Sequence, residues 1–257
     1  MSSLKRIYYN LSARQRYYNR LNRDYKRNNR KRSNHPENLN LWERKYFSQN
    51  GEDGIIEEIF KRIGILIHYY VEFGAGDGSE CNTRYLSEKF GFSGLLMDAY
   101  NSSIEINLRR EFVTRENVES LFRKYKVPTE FDLLSIDIDG NDYYVWEAIR
   151  NFTPRVVVIE YNSSVPPNKS KTIPYDPNFK WKGTDYFGAS LLALKKLGER
   201  KGYTLVCCDN LRVNAFFVRS NLVNFPVRSY RRIYRKPRYA GVFGHGWPKD
   251  VRKMVEV

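Results

Sequence analysis

The chain has 257 residues, 41% of them hydrophobic and 15% aromatic, with 44 Lys and Arg against 29 Asp and Glu for a formal charge of +15. That length suits one α/β domain of about 200 residues with attached segments, and the apolar content excludes an intrinsically disordered chain. No apolar run nears the roughly 20 residues of a membrane span, and the basic start lacks the apolar stretch of a secretory signal, so a cytoplasmic protein is expected, peripheral to a membrane if it meets one.

The charge is uneven along the chain. Residues 1–36 carry eleven Lys and Arg against Asp24 alone, net +10, and residues 228–253 carry nine against Asp250, net +8, which leaves −3 for the rest. The positive field is therefore expected on two terminal segments and not on the body that holds a cleft. Residues 1–40 read as a basic arm, helical or disordered, interleaved with Tyr8, Tyr9, Tyr17, Tyr18 and Tyr25; residues 41–225 read as one catalytic domain; residues 226–257 read as a basic C-terminal segment. Such tails suit an anionic membrane surface, a nucleic acid or an acidic protein, and a solvated arm equally well.

The domain opens on a polar turn at 48–54, followed by Ile55, Ile56, Ile59, Phe60 and Ile63 at helical spacing. Strand-like runs at 69–73, 94–98, 131–137 and 156–161 then alternate with helical segments at 82–90, 104–110, 117–125 and 143–150. Alternation of this kind specifies a parallel sheet with helices on both faces. Residues 162–187 have no periodicity but hold Tyr175, Phe179, Trp181, Tyr186 and Phe187, which marks a substrate-binding loop. A helix at 188–202 precedes strands at 203–208 and 214–219, joined so closely through Asn210 that they must be antiparallel. The expected fold is a doubly wound, seven-stranded Rossmann-like sheet ending in an antiparallel hairpin, and it resembles the class I methyltransferase type. Cys81, Cys207 and Cys208 fit neither a disulfide framework nor a zinc spacing and read as packing residues in a reducing compartment.

The glycines of the turn Glu72-Phe73-Gly74-Ala75-Gly76-Asp77-Gly78 follow one strand and precede a helix, where backbone can approach a ligand closely. Asp98 closes the next strand some twenty residues on, placed to accept hydrogen bonds from two ribose hydroxyls. Taken with the segments 46–54, Cys81-Asn82-Thr83, 94–99, Asp137-Ile138-Asp139-Gly140 and Ile159-Glu160, this order resembles the FkbM-type methyltransferases over residues 46–219. The resemblance implies S-adenosylmethionine as donor and O-methylation of a sugar or other hydroxyl-bearing acceptor. It implies further that Glu72, Gly74, Gly76, Asp77 and Gly78 hold the donor's amino-acid end and Asp98 its ribose. Asn82 and Thr83 either contact the donor or cap the following helix. The family often carries Glu where Asp139 stands, so the shorter arm changes the reach of that carboxylate.

Three readings compete for the acidic strand ends. Asp137 or Asp139, with Glu160 at the neighbouring strand end, takes the proton of an attacking hydroxyl. Alternatively Asp137, Asp139, Glu160 and Asn162 hold Mg2+ or Mn2+, since all-oxygen ligands favour such ions. In the third reading these acids cap a helix. His245, between two glycines, is a candidate base on a loop, and Asn162, Tyr175 and Trp181 are candidate acceptor contacts, the aromatics by stacking on a sugar ring. Two other functions stay open: a nucleic-acid methyltransferase guided by the basic tails, and a non-catalytic binding protein of the same fold docking through them.

Overall fold

The computed structural model describes residues 3–234, 236 and 247–257. Helix α1 (Ser3–Arg27) and the short α2 (Asn29–Asn34) lead to α3 (Glu52–Ile63). The alternating unit then runs β1 (Tyr69–Phe73), α4 (Arg84–Phe90), β2 (Ser93–Asp98), β3 (Leu108–Arg110), α5 (Val118–Lys124), β4 (Glu130–Ile136), α6 (Asp142–Ala148) and β5 (Thr153–Glu160). It closes with β6 (Lys171–Thr172), α7 (Leu191–Arg200), β7 (Tyr203–Cys208), β8 (Asn214–Arg219), α8 (Tyr230–Ile233) and β9 (Val255–Glu256).

Seven of these strands form one sheet in the order β3-β2-β1-β4-β5-β8-β7, parallel except that β8 pairs antiparallel with both β5 and β7. The central strands are continuous apolar runs because both faces are covered. Alternate residues feed two separate cores: Val71, Leu134, Ile136, Val157 and Ile159 pack on one face, Tyr70, Leu133, Val156 and Val158 on the other. The expected fold class is the one observed.

Residues 104–110 are a correction to the expected helix. The chain turns at Asn107, whose φ is +52°, and then pairs Leu108, Arg109 and Arg110 with Leu96, Met97 and Asp98 as the sheet's edge strand. Three strand residues are too few to display a period of two, so this strand carried no legible pattern. All three cysteines are free and buried, as packing residues should be.

Described residues of both the arm and the C-terminal segment pack on the body. On α1, Tyr18 and Leu21 are buried, the Tyr18 hydroxyl donates to the Gln49 carbonyl, and the Tyr17 hydroxyl donates to Glu43 at 3.2 Å. The Tyr25 ring lies against the Arg32 and Arg44 guanidiniums, 3.7 and 4.2 Å from its centroid. At the other end β9 adds to β6 as a two-stranded antiparallel ladder, and Asp185 accepts from the Asp250 amide at 2.8 Å and pairs with Lys249 at 2.9 Å. The loop at 162–187 is thereby held by the chain's last residues. Among the described residues no helix is long and apolar enough to cross a membrane.

Candidate active site

In an open parallel sheet a crevice forms beyond the carboxyl ends of the strands, where the strand order reverses. Here the reversal falls between β1 and β4. Gly74, next after β1, has a φ of +71°, and a Cβ on it would stand 1.6 Å from the Asp137 carbonyl oxygen, so only glycine lets the two strand ends pass this closely. The crevice widens into a cavity of about 1710 Å3 that runs from Gly74 and Asp98 past Asp137, Asp139 and Glu160 to Phe179, Trp181 and Trp247.

Asp98 ends β2 at the cavity wall. One carboxylate oxygen accepts from the Gly76 amide at 3.0 Å, which couples it to the glycine turn, and the other accepts from the amides of Tyr100 and Asn101 at 2.8 Å each. These bonds fix the carboxylate's direction, and Tyr100, Phe112 and Val113 continue the same wall beyond it. Asp98 and Gly74 thus stand where the sequence placed them. The other glycine-turn candidates do not line the cavity. Asp77 is turned outward, where it accepts from the Ser79 amide and hydroxyl at 2.9 and 2.5 Å.

Glu72, Asn82 and Thr83 form a closed internal network. The buried Glu72 carboxylate accepts from the Asn82 amide at 2.9 Å, the Thr83 amide at 3.0 Å and the Thr83 hydroxyl at 2.6 Å, while the Asn82 side-chain amide donates to Ser135 at 3.1 Å. Burial raises the Glu72 pKa against the lowering effect of these donors. The three residues tie the start of α4 to the sheet, and both Glu72 carboxylate oxygens are engaged in doing so. Thr83 makes no side-chain cap of α4, so the capping alternative is not realised.

The acidic strand ends do converge. Asp137, Asp139 and Glu160 each present a carboxylate oxygen within 4.8 Å of the others. Strand geometry does not bring this about, because β4 ends at Ile136 and Asp139 sits in the left-handed region with a φ of +61°. A reversal of the backbone, not a shared strand face, turns Asp139 back towards Asp137. Burial, then the neighbouring carboxylates, hold Asp137 and Glu160 far above the ordinary range, and burial raises Asp139. Glu160 Oε2 is buried with no hydrogen-bond partner among the described residues. The helix-start role open to this segment falls instead to Asp142, whose carboxylate accepts from the amides of Ile138 and Gly140 at 2.9 Å each.

Asn162 is not part of the cluster. Its side-chain amide donates to the carbonyls of Asp185 and Phe187 at 2.8 and 2.9 Å and its oxygen accepts from Ser164, so it shapes the loop and does not line the cavity. Tyr175 is likewise withdrawn, its hydroxyl donating to Glu116 and its ring lying 3.8 Å below Arg115. Trp181 does line the cavity and meets Trp247 edge-on at 4.6 Å. His245 lies outside the described residues.

Several cavity residues were not anticipated. Asn141 lines it with a buried side-chain oxygen that has no partner among the described residues. Phe179 closes over Gly140, where a Cβ would stand 2.3 Å from the ring. Arg16, Arg20 and Arg23 of α1 also line the cavity. The separation of basic arm from catalytic body expected from charge counting is therefore corrected: a helix packed on the body brings part of the arm's charge to the cleft. Their spacing of four and three residues puts them on one helix face, but the other charges and tyrosines of the arm are too irregularly spaced for that face to stand out in the sequence.

No family model matches the chain, and no curated protein does either. Solved structures do. The chain is similar to the citrinin polyketide synthase CMeT domain at 12% identity and a TM-score of 0.34, over 65% of this chain and 51% of that one. It is similar to a SAM-dependent methyltransferase from Aquifex aeolicus at 10% identity and a TM-score of 0.33, over 63% of this chain and 88% of that one. A third likeness is to the MycE methyltransferase of the mycinamycin biosynthetic pathway, solved with Mg and SAH, at 12% identity and a TM-score of 0.33, over 70% and 55%. The chain spans about half the length of the first and third of these. The fold is a doubly wound, seven-stranded sheet ending in an antiparallel hairpin.

Proposed function

We propose that the chain is an S-adenosylmethionine-dependent O-methyltransferase of the FkbM type acting on a saccharide or other hydroxyl-bearing acceptor. One observation carries the reading: a single cavity at the sheet's carboxyl edge holds a directed Asp98 at one part and three converging carboxylates at another. The family assignment rests on the order of motifs from 46 to 160.

The residues present fit the donor. Gly74 and Asp98 line the crevice together, and a Cβ built on Gly76 would meet no atom within 4 Å, so open space adjoins the turn. When bound, S-adenosylmethionine supplies an electrophilic methyl on a sulfonium. Asp98 then accepts from ribose hydroxyls, and Tyr100 and Phe112 offer apolar surface to an aromatic base. The acceptor hydroxyl loses its proton to a carboxylate oxygen of Asp137, the more deeply buried of the adjacent pair Asp137 and Asp139. Burial that raises this carboxyl makes it a stronger proton acceptor once ionised. Phe179, Trp181 and Trp247 exclude water from the acceptor side.

A divalent cation also fits. Three carboxylates within 4.8 Å, one with a buried oxygen lacking a partner, form a hard-oxygen set suited to Mg2+ or Mn2+, with Asp137, Asp139 and Glu160 as ligands. Its charge would supply acidification of the acceptor hydroxyl.

The test is calorimetric titration of the purified chain with S-adenosylmethionine, followed by mass-spectrometric search for a one-methyl gain in oligosaccharide pools. Binding lost in Asp98→Ala and kept in Asp137→Asn, with turnover lost in both, is the expected result. Absence of donor binding refutes the proposal. Loss of turnover on chelation, restored by Mg2+ or Mn2+, assigns the carboxylates to a metal; insensitivity assigns them to proton transfer.

A further inference from the structure

Helix α1 divides into two stripes. Tyr18, Leu21 and Tyr25, three and four residues apart, face the body: Tyr18 and Leu21 are buried, and Tyr25 lies under Arg44. Arg16, Arg20 and Arg23 form the other stripe, exposed yet lining the cavity that holds Asp137, Asp139 and Glu160. Among the described residues none of the three arginines forms an ion pair, although Asp24 lies one turn beyond Arg20 on the same helix. Lys180, on the substrate loop, lines the same cavity. Like charges one turn apart cost a helix a few tenths of a kcal/mol. Among the described residues the stripe is therefore an unpaired cationic surface lining the cavity that also holds the carboxylates.

We propose that the acceptor is a phosphorylated saccharide, with Arg16, Arg20 and Arg23 binding its phosphate or diphosphate while the hydroxyl to be methylated lies at the carboxylates. This rests on the methyl-transfer reading above and names its substrate class. A neutral sugar brings no charge to pair with three guanidiniums. A single carboxylate satisfies one bidentate fork, whereas the seven helical steps from Arg16 to Arg23 span about 10 Å, enough to engage the oxygens of one or two phosphates. A nucleic-acid strand is disfavoured because Asp98, Glu111, Asp137, Asp139 and Glu160 share the cavity and would repel a phosphate at every step along it. An acceptor charged only at one end avoids that repulsion. The carboxylates take the cationic donor side and the arginines the anionic acceptor end.

The experiment titrates the full chain, saturated with S-adenosylhomocysteine and free of divalent cations, with glucose, glucose 1-phosphate, inorganic pyrophosphate and a short single-stranded RNA. Glucose 1-phosphate and pyrophosphate are expected to bind on the order of tenfold or more tighter than glucose. That preference should shrink as salt rises and vanish in the variant Arg16→Gln/Arg20→Gln/Arg23→Gln, with the S-adenosylmethionine Kd changed less than about twofold. The salt series on the unaltered chain keeps the test decisive should the variant fold poorly. Equal binding of glucose and glucose 1-phosphate, or a salt-independent preference, overturns the proposal. RNA binding tighter than pyrophosphate and dependent on the same arginines overturns it in favour of a nucleic-acid acceptor. A variant that weakens the donor while keeping the phosphate preference overturns it by placing the arginines on the donor's carboxylate. Absence of donor binding in the unaltered chain refutes the parent reading and this one with it, whereas normal donor binding without phosphate preference refutes this one alone.

Discussion

Asp209 should make the protein less stable as pH rises from about 5 to 8. It stands at the turn between β7 and β8, buried near Glu43 and Glu52, and its carboxylate accepts from the amides of Val213 at 3.0 Å and Asn214 at 2.8 Å. Burial first, then the Glu52 charge, push its pKa from 3.8 to about 7. Because the folded pKa lies above the unfolded one, the folded state holds a proton that the unfolded state has already lost across this window. Stability is thus fully favoured below the unfolded pKa and declines until pH passes the folded value. Integrated from pH 5 to 8, a shift of that size amounts to roughly 2 to 3 kcal/mol, or roughly 5 to 10 °C of Tm for a domain of this size. Glu43, raised well above its usual range by burial and by Asp209, adds in the same direction and carries the Tyr17 hydroxyl of α1. The assay is thermal unfolding at fixed ionic strength from pH 5 to 8 for the wild type and Asp209→Asn. The amide imitates the protonated acid, so the two proteins should unfold together at pH 5 and diverge by pH 8, the variant being the more stable. Parallel curves with a constant offset would refute the reasoning.

Three perturbations probe the rest. Glu160→Gln should lower turnover by roughly 100-fold or more while the donor Kd stays within about twofold, read by methyl-transfer assay and calorimetry; unchanged turnover would remove Glu160 from the chemistry. Gly74→Ala should cost roughly 3 kcal/mol or more, measured by urea unfolding, since its Cβ would overlap the Asp137 carbonyl at 1.6 Å in a left-handed conformation. At the opposite edge of the sheet, Arg155→Ala breaks a buried 2.8 Å pair with Asp132 and the bonds to the Ile63 and Gly64 carbonyls. It should cost about 3 to 5 kcal/mol in the same unfolding assay and leave donor affinity unaltered.

The parts of the fold legible in the sequence are those whose cause is local. Val156 to Tyr161 and Phe131 to Asp137 read as strands because both faces of their apolar stretches meet core, and the short link through Asn210 dictated an antiparallel pair. Asp98's place at the end of β2, bonded to the Gly76 amide, was legible because it depends on one spacing from the glycine turn. Glu72 was misleading: a carboxylate at the end of the first strand looks free for a ligand until Asn82 and Thr83 fold back onto it. Asn162 misled for the same reason, its hydrogen-bond capacity being taken by Asp185, Phe187 and Ser164. Each loss depends on contacts that no window of sequence contains.

The arginines of α1 show the converse. Summing charge along the chain treats a terminal segment as remote, yet the electrostatics of a cleft depend on distance in space. The anchors that decide the matter are apolar and aromatic: Tyr18 and Leu21 bury one stripe of α1, Tyr25 packs under Arg44, and the Tyr17 hydroxyl reaches Glu43. Once those contacts fix the helix's rotation, a residue two positions from Tyr18 on either side must face outward along the cavity, and arginine occupies both Arg16 and Arg20. Moving the stripe by a single residue would turn the guanidiniums into the body, where unpaired charges are costly. The same sequence interval thus encodes both the docking of the arm and the positive charge lining one part of the cavity.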